Sequence, residues 1–205
     1  WPHNLHSHGL EISTGPVVAF RATQLIFKSG NIPVTHAPLL WLQNVAAMEA
    51  RWPKEIKGKG QYIIVSPVSM PLLVANRNYV LLRRFSAKEQ RRRLTAAPLL
   101  AERLGSPLIG LENHLNYIHR PGGSLTAEEA YGLAVLLNSR LLDTYFRTYN
   151  GNTQVNATEL RAMPLPPLDD IIRIGRRAIA LPNPSEMVDI LIENTLGISN
   201  HKVMS

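Results

Sequence analysis

At Thr126 the apolar pattern of the chain changes period. Before that point apolar residues come in short runs (16–21, 39–43, 61–65, 79–85 and 108–118), bounded by Gly, Pro, Asn or Ser. Runs of that length and punctuation are strand signals. After it, Ala130, Leu133, Ala134, Leu137, Leu141, Leu142, Tyr145 and Phe146 recur at helical spacing, with a bend expected at Asn138-Ser139. Thr126 followed by Glu129 is a capping box that places the helix start. Asn156 with Glu159 is a second such signal, and Ser86 with Glu89 a third, for a short helix that Pro98 limits. Pro164, Pro166 and Pro167 read as a rigid joint, and 169–181 and 185–196 as closing helices, the latter stopped by Gly197. Strands first and helices after define an α+β chain, in which a short-stranded mixed sheet region is followed by a helical C-terminal part.

Charge is the second constraint. The 205 residues hold 22 Lys and Arg against 15 Asp and Glu, a net charge of +7. The segment 51–93 holds eleven of the basic residues and only two acids, Glu55 and Glu89, so it carries the whole imbalance. A clustered cationic excess is the electrostatic footprint expected for a polyanion. No Asp occurs before Asp143, so paired carboxylates for acid–base work or for Mg²⁺ are scarce where the basic segment lies. The absence of cysteine excludes a disulfide scaffold, a Cys-ligated zinc site and thiol catalysis. No apolar run approaches a membrane span, and a cytoplasmic protein is expected. Residues 1–10, rich in His and beginning at Trp1, read as a lead-in from an upstream region, with the main domain over 11–168 and a helical segment over 169–205.

Catalytic patterns are missing. Gly58-Lys59-Gly60 precedes a strand, whereas a dinucleotide or methyl-donor fold needs its glycines after one and before a helix. Nucleophile elbows and phosphate loops do not occur. Glu55-x-Lys57 resembles the tail of a Mg²⁺-nuclease pattern but lacks its upstream Asp. His3, His6 and His8 read as a polar terminus, without metal, and His114 and His119 as structural histidines flanking a strand. What remains suits nucleic acid. Arg83, Arg84, Arg91, Arg92 and Arg93 can fork onto phosphate oxygens, with Lys88 as a point charge. Asn113, His114, Asn116, Asn152 and Gln154 offer amides and an imidazole to base edges, although Asn152 and Asn156 serve equally well as caps.

Several longer strings are distinctive: Ser13-Thr14-Gly15-Pro16-Val17-Val18 with Phe20-Arg21, NYVLLRRFSAKEQRRR at 78–93, LENHLNYI at 111–118, LLNSRLLDTYFR at 136–147 and GNTQVNATELRAMPLP at 151–166. Together, over 11–169, they resemble the C-terminal target-recognition region of bacterial type II restriction–modification N6-adenine DNA methyltransferases, most closely those of the gamma arrangement. The stretch from Gln154 to Pro167 also looks like the junction to the helical spacer of type I specificity subunits. The resemblance implies a domain that grips double-stranded DNA and selects its sequence. The S-adenosylmethionine site and the Asn/Asp-Pro-Pro-Tyr/Phe motif would lie in an N-terminal methyltransferase domain absent from this chain. Asn183-Pro184-Ser185-Glu186 is only a near miss to that motif. The chain itself is then expected to be non-catalytic and to bind no cofactor. Within it Lys54, Lys57, Lys59, Arg77, Arg120 and the loop residues named above are the expected base readers. A type I specificity subunit and a recognition domain fused to a restriction endonuclease are the alternatives.

Overall fold

The computed structural model describes residues 1–28, 33–87, 89–149 and 154–198. Among these are eleven strands: β1 (Glu11–Thr14), β2 (Ile26–Phe27), β3 (His36–Leu40), β4 (Val45–Ala46), β5 (Glu49–Ala50), β6 (Tyr62–Ile64), β7 (Leu73–Ala75), β8 (Tyr79–Arg83), β9 (Ala96–Leu99), β10 (Leu108–Leu111) and β11 (Leu115–His119). Five α-helices follow: α1 (Ala127–Asn138), α2 (Arg140–Tyr149), α3 (Ala157–Arg161), α4 (Leu168–Ile179) and α5 (Val188–Leu196). The class is α+β.

Two sheets carry the strands. The first, in the order β1-β11-β8-β9, is antiparallel throughout. The second, β2-β6-β3-β10-β7, is mixed, with β3 and β10 parallel. A small β4–β5 hairpin adjoins the first sheet, where the Met48 N–H donates to Ala96 O at 2.9 Å.

The period-two alternation of the strands sorts their side chains into layers. From β8, Val80 and Leu82 join the helical core, while Tyr79 and Leu81 face the second sheet. From β11, Ile118 goes to the helices, and Leu115 goes between the sheets with Ile109, Leu111 and Leu40. A third cluster of Val17, Ala37, Leu39, Trp41 and Ile63 covers the far face of the second sheet. Strand β8 is apolar on both faces because it lies between two cores.

Thr126 caps α1 as expected. Its Oγ1 accepts the Glu129 N–H at 3.1 Å, and Glu129 Oε2 accepts the Thr126 N–H at 2.7 Å. The bend falls at Ser139, whose hydroxyl donates to Leu136 O at 2.6 Å and accepts the Leu142 N–H at 3.2 Å, closing α1 and opening α2. Helix α4 packs directly on α1, and its Ile171, Ile174 and Ala178 share one core with Leu133 and Leu137. Leu5 and Leu10 belong to that same core, and His3 pairs with Leu165. The 1–10 stretch and the 169–198 helices thus pack into the core of the intervening domain.

Several local expectations change. The 16–21 run forms a single bridge at Val17 followed by a 3-10 turn at Ala19–Arg21, because Pro16 lacks an N–H for a ladder. The 108–118 run is two strands in different sheets, parted by a turn at 112–114. The Ser86/Glu89 signal starts no helix among the described residues; Ser86 Oγ instead accepts from Arg93 Nε at 2.9 Å. Asn156 precedes α3 without a side-chain cap bond. Strand β9 was not foreseen because it contains Pro98; it is an edge strand, where a missing N–H is tolerated.

Candidate nucleic-acid interface

The arginines of 83–93 are mostly turned inward. Arg83 Nε donates to Val45 O at 2.7 Å, and burial lowers the pKa of its guanidinium. Arg93 is buried, with its Nε on Ser86 Oγ, its guanidinium over the Phe146 ring, and its backbone N–H donating to Asp143 Oδ1 at 2.5 Å. Arg92 pairs with Asp189 of α5 at 2.7 Å. Asp143 also takes the Leu94 N–H at 3.0 Å and Arg147 Nε at 2.8 Å. The aspartates, absent from the sequence before residue 143, thus lie on the helices and two of them, Asp143 and Asp189, face the basic segment. Arg91 is exposed and makes no such contact, and Lys88 lies outside the described residues.

Of the expected base readers, several are structural. Asn116 is fully buried, accepting from Thr14 Oγ1 at 3.0 Å and donating to Val155 O at 2.9 Å. Arg120 forks onto the buried Glu129 carboxylate at 2.8 and 2.9 Å. Burial opposes the charge of Glu129, yet Arg120 and the Thr126 N–H together hold its carboxyl below the usual range. Arg77 donates to Gly123 O at 2.7 Å. Gln154 bridges to Phe85, and Asn152 lies outside the described residues.

Two groups remain exposed to solvent. The first lies around the second sheet and the loop between β5 and β6. Lys57 is exposed, Lys54 reaches Gln43 O at 2.7 Å, and the Lys59 ammonium sits 4.1 Å from the centroid of the Trp41 ring. Lys59, Lys28, Phe20, Trp41 and Ile26 line a cleft of about 360 Å³. Phe20 is 75% exposed, with the Arg21 guanidinium over its ring. Sequence reasoning did not single out Phe20, Arg21 or Lys28 as contacts; an aromatic beside a basic residue was the available signal. Gly60 is required by packing here, since a Cβ would meet Phe27 O at 2.5 Å.

The second group is the 112–114 turn with the end of β8. Arg84 donates to Asn113 O at 3.1 Å, the Asn113 N–H donates to Val17 O at 2.9 Å, and the His114 ring meets the edge of Phe85. Gly15 lets the preceding segment approach this turn, because a Cβ there would meet Leu111 O at 2.5 Å. Val17, bridged to Glu112, leads within three residues to Phe20, so the two groups share one stretch of backbone.

Among the described residues no three His, Asp or Glu side chains gather as metal ligands, and no helix is long and apolar enough to cross a membrane. The chain is thus α+β, with lysines on the loop before β6 and a polar turn between β10 and β11. No family model matches the chain. It is, however, similar to Type II methyltransferase M.BsuBI of Bacillus subtilis, with 38% identity over 180 residues, and to Type II methyltransferase M.PstI of Providencia stuartii, with 37% over 176. Each match covers 86% of this chain, whereas the chain spans only 35% and 34% of those two proteins. The chain is thus a relative of Type II methyltransferases and matches about a third of their length.

Proposed function

We propose that this chain is the DNA target-recognition part of an adenine-N6 methyltransferase of a type II restriction–modification system. The observation that carries the reading is the similarity to Type II methyltransferases over nearly the whole chain, in a sequence that lacks both the Asn/Asp-Pro-Pro-Tyr/Phe motif and a glycine turn between strand and helix. Methyl transfer from S-adenosylmethionine would then be performed by a catalytic domain outside these residues. Lys54, Lys57, Lys59 and Arg91 are the phosphate-facing cations in this reading, together with Arg84, whose bond is to the Asn113 carbonyl. The 112–114 turn faces the bases. Arg83, Arg92 and Arg93 hold the scaffold that presents them.

Fluorescence anisotropy of the chain with a randomised duplex pool across a salt series tests this. Affinity should fall steeply and linearly in log–log form as salt rises, with a slope of about −0.9 per phosphate contacted. Sequencing the retained duplexes should reveal a site. Absence of binding at low salt would overturn the reading.

A further inference from the structure

Glu112 is 1% exposed, and among the described residues its carboxylate meets one residue, His114. Its Oε1 lies 2.5 Å from His114 Nδ1, and its Oε2 accepts the His114 backbone N–H at 3.2 Å. A carboxylate withdrawn from water is costly unless its oxygens are paired. Here both are paired by one histidine, and the side chain of that histidine is itself 47% exposed. Burying an acid to hold a surface ring contributes little to the core, so the geometry calls for another account.

The backbone around the pair is fixed on every side. Glu112 N–H donates to Leu40 O, Leu115 N–H to Glu112 O, Asn113 N–H to Val17 O and Arg84 N–H to His114 O, all between 2.9 and 3.0 Å. The Phe85 ring stands edge-on to the imidazole, with centroids 5.0 Å apart. The ring is held by Nδ1, and among the described residues Nε2 has no protein partner. Orientation set in advance removes the ordering cost that a free surface side chain would meet on binding. A carboxylate beside the ring repels phosphate, which makes this a poor site for gripping the backbone. A hydrogen bond to a base edge needs direction rather than net charge.

We propose that His114 is a specificity-determining residue for duplex DNA, presenting Nε2 to one base edge, and that Glu112 is the residue that positions it. This rests on the DNA-recognition reading above.

The test is selection from a randomised duplex pool by the 205-residue chain and three variants, with affinities then measured across a salt series. His114→Asn keeps a side-chain N–H for Glu112 while deleting the Nε2 atom. It should lose preference at one base pair, by about 5- to 100-fold in discrimination, with the other positions and the salt slope unchanged. Glu112→Gln should weaken preference at that same base pair. In the double variant Glu112→Gln/His114→Asn that position should be no worse than with His114→Asn alone, a non-additivity that a merely structural role does not produce. Thermal unfolding reports whether each variant folds, and the His114→Asn result decides even if Glu112→Gln does not. Selection of an unchanged site by His114→Asn would overturn the inference. So would uniform weakening with a slope reduced by about 0.9, the mark of a phosphate contact. If the parent chain selects no sequence at all, it is the underlying DNA-recognition reading that fails.

Discussion

Asp143 shows how one side chain can organise a segment. It is buried, it accepts two successive backbone N–H groups from Arg93 and Leu94, and it pairs with Arg147 one turn along α2. Asp143→Ala would leave those donors without an acceptor in the interior. It should lower stability by about 3 kcal/mol, measured by urea denaturation, with Asp143→Asn losing less because its amide oxygen still accepts. Titration adds a second expectation. Burial lowers the pKa of His8 and His119 from the ordinary 6.5, against weaker opposing effects of Pro166 O on His8 and of Glu11 on His119. As pH falls through about 6.5 the unfolded chain takes up those protons before the folded one does, so stability should begin to decline there. Glu129 has its folded pKa below the ordinary 4.5, so its contribution is present above that value and is lost as pH falls further, through the folded pKa. Thermal melts between pH 7.5 and 3.5 should show both declines, and Glu129→Gln should remove the lower one. A flat profile from pH 7.5 to 5 would contradict the histidine assignment.

Among the elements, the α1–α4 contact is the tightest joint. A Cβ on Gly132 would collide with Ile171 O, and one on Gly175 with Glu128 O, so the two helices meet backbone to backbone. Gly132→Ala or Gly175→Ala should each force the helices apart at a cost of at least about 3 kcal/mol, the upper range for overpacking, because carbonyls cannot swing aside as side chains do. Differential scanning calorimetry would read this as a fall in Tm, and an unchanged Tm would refute the close approach. The helices themselves were legible in the sequence, since Thr126, Glu129 and the apolar stripe act locally through capping and period. Strands were legible where both faces are apolar, as at 79–83. They were hidden where tertiary context excuses a proline. Pro98 sits on an edge, and Pro38 in β3 lies beyond Leu39 and Leu40, the residues that pair with β10. The site divides the same way. His114, Asn113 and Arg84 are polar residues in a recognisable loop, whereas Glu112 becomes relevant only through the folded structure, which buries it and sets its carboxylate beside the His114 ring. The inward turn of Arg83 and Arg93 could not be read from a charge count, because their partners Val45, Ser86 and Asp143 are distant in sequence or joined by tertiary packing.

Across the whole molecule, the charge imbalance of 51–93 separates into two kinds of cation. Arg51, Arg92 and the Arg93 segment face Glu49, Asp189 and Asp143, so part of the excess is answered within the fold. Among the described residues, Lys54, Lys57 and Lys59 meet no carboxylate. Lys54 bonds a carbonyl, Lys59 lies over an indole, and Lys57 makes no such contact. Neutralising the two kinds should therefore have opposite consequences. Replacing Lys54, Lys57 and Lys59 together by Gln should leave stability within about 1 kcal/mol of the parent, since exposed charges contribute little to folding. It should also reduce the slope of log affinity against log salt by up to about 2.7, at 0.9 per lost phosphate contact. Arg92→Gln should instead lower Tm, by freeing Asp189 from its partner, while leaving the slope within error. If the lysine variant keeps the full slope, phosphate contact must be made elsewhere on the surface, and Arg84 and Arg91 would be the cations to neutralise next.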